Sequence, residues 1–128
     1  MSEFHYSVLE TTHHQQRLVT VSCIGNGELI GIVSTIVEYS PRFRIIIFTV
    51  DKNYDRNHIG KRLLYHLACH ILPTKKSPEM ITIDEIGYDN GEWSEKFLRK
   101  IGFARIAYDR KKVVSWGVTI QHLLTIIE

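Results

Sequence analysis

The spacing of apolar and polar residues changes character several times along the chain, and each change marks an element boundary. Phe4–Leu9 predicts a short strand, and the polar run Thr11-Thr12-His13-His14-Gln15-Gln16 behind it predicts a loop. Leu18–Cys23 and Glu28–Val37 are both β-rich, and Gly25-Asn26-Gly27 between them supplies residues that accept positive φ, so the two segments predict a hairpin. Ser40-Pro41 punctuates the next connection. Phe43–Val50, a run of β-branched and aromatic residues, predicts a central strand buried on both faces.

From Ile59 the period lengthens. Ile59, Leu63, Leu64, Leu67, Ala68 and Ile71 recur every three to four residues, the pattern of a helix laying one face on a sheet, and Pro73 ends it. Met80–Ile86 predicts a strand and Glu92–Ile101 a second helix closed by Gly102. Phe103–Tyr108 and Val113–Ile120 predict two strands joined by Asp109-Arg110-Lys111-Lys112, and the tail Leu123–Ile127 fits no single pattern. The order β-β-β-β-α-β-α-β-β predicts an α/β fold with a mixed, mostly antiparallel central sheet. One β-α-β crossover makes Phe43–Val50 and Met80–Ile86 parallel neighbours.

Composition narrows the class. At 128 residues and 44% apolar, the chain is expected to form one domain, 1–128, around one core. The longest strongly apolar run, Ile45–Phe48, is far below the ~20 residues of a membrane helix. The opening residues lack the charged and apolar regions of a secretory signal, so a cytoplasmic protein is expected, with Cys23 and Cys69 as reduced thiols. Sixteen basic against fourteen acidic residues give a net charge of +2, too balanced to imply a nucleic-acid partner. The cations nevertheless clump, at Arg56-Lys61-Arg62, Lys75-Lys76, Lys96-Arg99-Lys100 and Arg110-Lys111-Lys112. Each clump reads as a solvated face or as a local anion site.

The first clump has the better claim to chemistry. It lies where the strand ending at Val50 passes through a polar loop into the helix carrying Gly60. A helix start offers unpaired backbone N–H groups and partial positive charge, and a glycine there admits close approach of a phosphate. Arg56, Lys61 and Arg62 would add cationic groups around it. The competing reading gives Gly60 a packing role only.

The stretch Val50-x-x-x-Tyr54-x-x-x-x-Ile59-Gly60-Lys61-x-Leu63-Leu64, with Phe97-x-x-x-Ile101-Gly102-Phe103 farther on, resembles the acyl-CoA-binding core of the GNAT N-acetyltransferase superfamily, over roughly Glu28 to Phe103. The resemblance implies a GNAT-like fold and acetyl-CoA as co-substrate, its acetyl group passing to a primary amine by direct attack. The family's loop pattern, Arg/Gln-x-x-Gly-x-Gly/Ala, falls on Asp55-Arg56-Asn57-His58-Ile59-Gly60, so the last glycine is kept while Asp55 and His58 depart. By that resemblance Arg56, Asn57, His58, Ile59, Gly60 and Lys61 would line the pyrophosphate site. Val50 would lend an amide to the thioester oxygen and Asn90 would touch the pantetheine arm. Many relatives carry a Tyr that protonates the thiolate where this chain has Leu98, leaving Tyr88 as the nearest phenol. Asp84 and Glu85 are the candidate bases, one on each strand face, and Glu85 or Tyr88 would manage the proton. Relatives usually place two helices between their first and second strands, forming one wall of the acceptor pocket. Only Glu10–Arg17 separates those strands here, so the helix pair is lacking.

Other readings of the same residues are blander. His66-Leu67-Ala68-Cys69-His70 sets two imidazoles one helical turn apart, but without the zinc-protease Glu or a second ligand cluster no metal is expected. Trp93, Phe97, Ile101 and Trp116 read as core. The apolar tail from Val113 onward suggests a homodimer. The amine acceptor would be a small molecule or a protein lysine or N-terminus. The alternative function is a non-catalytic protein-interaction module on a degenerate acetyltransferase scaffold.

Overall fold

The computed structural model describes residues 4–14, 16–37, 42–51, 53–54, 58–71, 80–84, 95–108 and 114–126. Seven strands form one sheet in the order β1-β2-β3-β4-β5-β7-β6. They are β1 (Phe4–His13), β2 (Gln16–Gly25), β3 (Glu28–Val37), β4 (Arg42–Val50), β5 (Met80–Asp84), β6 (Ala104–Tyr108) and β7 (Val114–Thr119). The helices are α1 (Ile59–Ile71), α2 (Glu95–Ile101) and the short α3 (Ile120–Leu123). β4 and β5 run parallel, as the crossover through α1 requires, and every other neighbouring pair is antiparallel. The mixed, mostly antiparallel α/β sheet read from the sequence is thus the observed one.

Four expectations need correction. The polar run after Leu9 is not a loop: β1 pairs with β2 residue for residue from Phe4/Gly25 to His13/Gln16, and the turn begins at His14, at φ 52°. Thr11 and Thr12 are β-branched and suit a strand, and Arg17 clasps Glu10 across it. β4 is not buried on both faces, because Ile46 and Ile47 are 38% and 46% exposed. The apolar tail is spent internally: Trp116, Val118, Ile120 and Leu123 are all buried in the chain's own core. Ile120, expected in a strand, instead opens α3, whose N-cap Thr119 accepts a hydrogen bond from the His122 amide.

Pairing register sorts the side chains. Tyr6, Val21, Cys23, Val33, Phe48, Ile83 and Trp116 share the inner face, and all the described helices lie against it. Ile59 and Leu63 of α1 meet Gly31, Phe97 of α2 packs edge-on to Phe48, and the Arg99 and Arg105 guanidiniums lie over the Trp116 ring. Cys23 is buried and Cys69 exposed, neither in a disulfide. No helix among the described residues is long and apolar enough to cross a membrane.

His66 and His70 both turn toward β1. His66 stacks on Tyr6, with ring centroids 4.6 Å apart, and burial followed by the nearby Arg62 charge pushes its pKa down. His70 Nε2 lies 2.8 Å from Glu10 Oε1, while Arg17 Nε donates to Glu10 Oε2 at 2.6 Å. Arg17, and then His70, hold the Glu10 carboxyl down to about 2. A depressed carboxylate stabilises the fold above its ordinary pKa and loses that contribution as pH falls toward the folded value. Glu10→Gln is therefore expected to lower stability at pH 7 by about 1 kcal/mol, solvent screening included. The gap from the parent should close between about pH 5 and pH 2. Urea unfolding of both proteins across that range checks it.

Candidate active site

The site is built where β4 stops, and its geometry follows from one extra residue. Ser34 pairs with Ile47 and Thr35 with Ile45, so Ile46 is left without a partner on β3. Such a bulge bends and twists the strand that carries it. On its other edge β4 pairs with β5 from Arg42/Met80 to Ile45/Ile83 only. The five residues Ile46–Val50 continue without a β5 partner among the described residues, which carry β5 only to Asp84.

Backbone directions past the bulge can be followed from Asp51. Its amide donates to the Ile30 carbonyl at 2.7 Å, toward β3. Successive residues of a strand present their polar groups to alternate edges, so the amides of Val50 and Phe48 face the opposite edge, where no described residue of β5 pairs with them. Asp51 then organises the loop, accepting the Asn53 amide on Oδ1 at 2.9 Å and the Tyr54 amide on its carbonyl at 2.9 Å. Tyr54 packs against the core and meets Phe4 edge-on.

The helix that follows is capped at His58, whose carbonyl accepts the Arg62 amide at 3.1 Å. His58 has φ 58° and Ile59 is helical, a left-handed to right-handed succession that turns consecutive amides toward a common concavity. The amides of Ile59, Gly60 and Lys61 have no intrahelical acceptor by the geometry of a helix start. Ile59 and Gly60 are buried, His58 is exposed and Lys61 is partly so. This cradle lies close to the end of β4. Gly31 pairs with Val50, and a Cβ on Gly31 would come within 3.1–3.3 Å of Leu63, Ile59 and the Thr49 carbonyl. A side chain there would push the first turn of α1 away from the sheet.

A left-handed conformation costs an L-residue about 1–2 kcal/mol, and glycine does not incur it. His58→Gly is accordingly expected to raise stability by about 1 kcal/mol, while His58→Ala gives no such gain. Chemical denaturation of the three proteins separates these outcomes.

Of the residues singled out in the sequence, Val50, His58, Ile59, Gly60 and Lys61 are brought together here. Asp55, Arg56, Asn57, Glu85, Tyr88 and Asn90 lie outside the described residues, as does Trp93. Leu98 is buried in the core at 2% exposure, where an aliphatic side chain holds no proton. Among the described residues no cluster of three or more metal-ligating side chains occurs. The bulge at Ile46 was missed by periodicity, although Ile45-Ile46-Ile47-Phe48, four apolar residues in succession, was its trace.

The comparison with protein families matches residues 2–103 to the Acetyltransferase (GNAT) family. The chain belongs to that family. Among solved structures, it resembles a GNAT-family acetyltransferase from Staphylococcus aureus Mu50 (17% identity, TM-score 0.66, covering 80% of this chain and 68% of that one). It likewise resembles the aminoglycoside 6'-N-acetyltransferase from Enterococcus faecium (16% identity, TM-score 0.62, 80% and 74% covered). An aminoglycoside 6'-N-acetyltransferase complexed with coenzyme A is similar at 15% identity and TM-score 0.63, with 80% and 73% covered. At these identities the likeness is one of fold. No curated protein matches in sequence. An amide cradle at a helix start suits a diphosphate, and strand-end amides beside it suit a thioester oxygen.

Proposed function

We propose that this GNAT protein moves an acetyl group from acetyl-CoA to a primary amine on a small molecule or a protein lysine or N-terminus, by direct attack and without a covalent enzyme intermediate. The observation that carries the reading is the meeting at Gly31 of two features: the first turn of α1, with its inward amides, and the end of β4, past its last described pairing with β5. Acetyl-CoA supplies the activated acyl group, and the chain's residues hold and polarise it. The amides of His58, Ile59, Gly60 and Lys61 bind the diphosphate, with Arg56, Asn57 and the Lys61 ammonium adding charge and hydrogen bonds. The Val50 amide faces the edge away from β3 and donates to the thioester oxygen, gaining strength as negative charge builds there. Asn90 steadies the pantetheine arm. Glu85 or Tyr88 drains the proton from the attacking amine, which must be neutral to react.

Leu98 cannot supply the acid that many relatives carry at its position. A thiolate leaves readily, since a thiol pKa lies near about 8.5, so proton donation is dispensable to the extent that the oxyanion amide does its part. The two unpaired cysteines suit a reducing compartment, and we place the enzyme in the cytoplasm.

Titration calorimetry with acetyl-CoA, followed by thiol release in the presence of a panel of amines, tests the proposal. Binding with thiol release that depends on an amine is the expected result. Silence at about 1 mM acetyl-CoA, a limit of about −4 kcal/mol, overturns it and leaves the scaffold as a docking module.

A further inference from the structure

The face of the sheet turned away from the helices has no helix on it among the described residues. An antiparallel sheet can leave one face to water if that face is polar. This one mixes polar residues with strongly exposed aliphatic ones. Ile24 pairs with Leu29, both on the outer face; Leu9 pairs with Thr20, Thr20 with Ser34 and Ser34 with Ile47, a single row across β1 to β4. Leu9 is 64% exposed, Leu29 54% and Ile47 46%. The hydroxyls between the aliphatic residues already serve one another: Thr20 Oγ1 and Ser34 Oγ are 2.8 Å apart, and Ser34 is buried. Covering this row would remove apolar surface from water while stripping few polar atoms of a partner.

We infer that a second copy of the same chain covers this face, the sheets packing outer face to outer face about a twofold axis near the Thr20–Ser34 pair. Two properties of the face favour a copy of itself over another partner. Its size is right: four strands of nine or ten residues present about 20 Å by 33 Å, or roughly 600 Å² in plan before side-chain relief is added. A stable association takes about 800 Å² from each partner. Its charge is also right for self-association. Arg44 is the one permanently charged side chain described on the outer face of β1 to β4, off the central row, so a twofold operation opposes no block of like charge. An acidic, basic or nucleic-acid partner would find no matching array there. Two sheet faces pack at about 10 Å separation, inclined by about 30°. The association stands on the face alone and does not depend on the acetyl-transfer reading.

Sedimentation velocity of the full chain, from about 1 to about 200 µM, tests it. A concentration-dependent dimer is expected, and Leu9→Glu and Ile47→Glu should each shift it to monomer, weakening association by at least about 30-fold. Both positions are exposed in the single chain, so circular dichroism and melting temperature should stay close to the parent's. Val8→Glu, at a position 39% exposed on the inner-face side of the same strand, should leave the dimer intact. A wild-type chain that sediments as monomer throughout overturns the inference. So does a dimer that survives Leu9→Glu and Ile47→Glu, or one that Val8→Glu dissociates instead.

Discussion

Gly60→Trp is expected to weaken acetyl-CoA binding by about 100-fold or more, with the thermal midpoint as control for folding. Gly60 is the second residue of α1 and is buried at the point where the helix start comes down beside β4. An indole there fills the space a diphosphate would need and screens the amides of Ile59 and Lys61. Losing two or three charge-assisted hydrogen bonds, each worth about 1.5–3 kcal/mol, accounts for a change of this size. Because Gly60 is buried, an indole there also disturbs packing, so Lys61→Glu serves beside it. Lys61 is on the same turn and partly exposed, and reversing its charge should cost about tenfold in affinity while leaving the fold intact. Calorimetry of the two variants against the parent gives the answer. Parent-like affinity in both would remove the cradle from the binding site.

Gly102→Ala is expected to be the most damaging small substitution among the positions described, at about 3 kcal/mol. Gly102 sits just past α2 at φ 121°, a conformation that L side chains rarely adopt. A Cβ there would lie 2.2 Å from His122 Nε2 and 2.5 Å from its Cδ2. Withdrawing the imidazole breaks the hydrogen bond that Nε2 donates to the Ile101 carbonyl at 3.0 Å. The Gly102 and Phe103 amides meanwhile both reach the Leu98 carbonyl, at 3.1 and 2.9 Å, closing the helix in a way that needs this backbone. Adding His122→Ala to Gly102→Ala removes the collision but not the strained φ, so only about 1 kcal/mol should return. Urea unfolding of the single and double variants measures both numbers. A Gly102→Ala protein within about 0.5 kcal/mol of the parent would show that neither strain nor collision is real.

Much of this architecture could be read before any coordinates. The three-to-four-residue spacing from Ile59 to Ile71 gave α1 its range, because one helix face must lie on the sheet. The Asn26-Gly27 turn, at φ 54° and 77°, was legible because few residues accept two positive φ angles in succession. What periodicity could not convey was anything set by a partner strand. Thr11 to His13 look like loop until β2 is laid beside them, and the apolar quartet in β4 looks doubly buried until β3 shows that Ile46 is skipped. The helix cap was half legible: glycine at position 60 was visible as a cradle residue, whereas the left-handed backbone at His58 left no mark, since histidine takes that region only in a minority of its positions.

Ile46 has a consequence of its own. With that residue omitted, Ile45 and Phe48 would still face the helices and Ile47 would still face outward, so the sidedness of the strand does not depend on it. What it alters is the count of peptide units along one edge. The course of β4 past Ile45 is thus set by chain length, a phase offset of one residue, and not by any contact that a surface substitution could remove. A backbone path fixed this way is in place before a ligand arrives, so little of the binding energy is spent on shaping it.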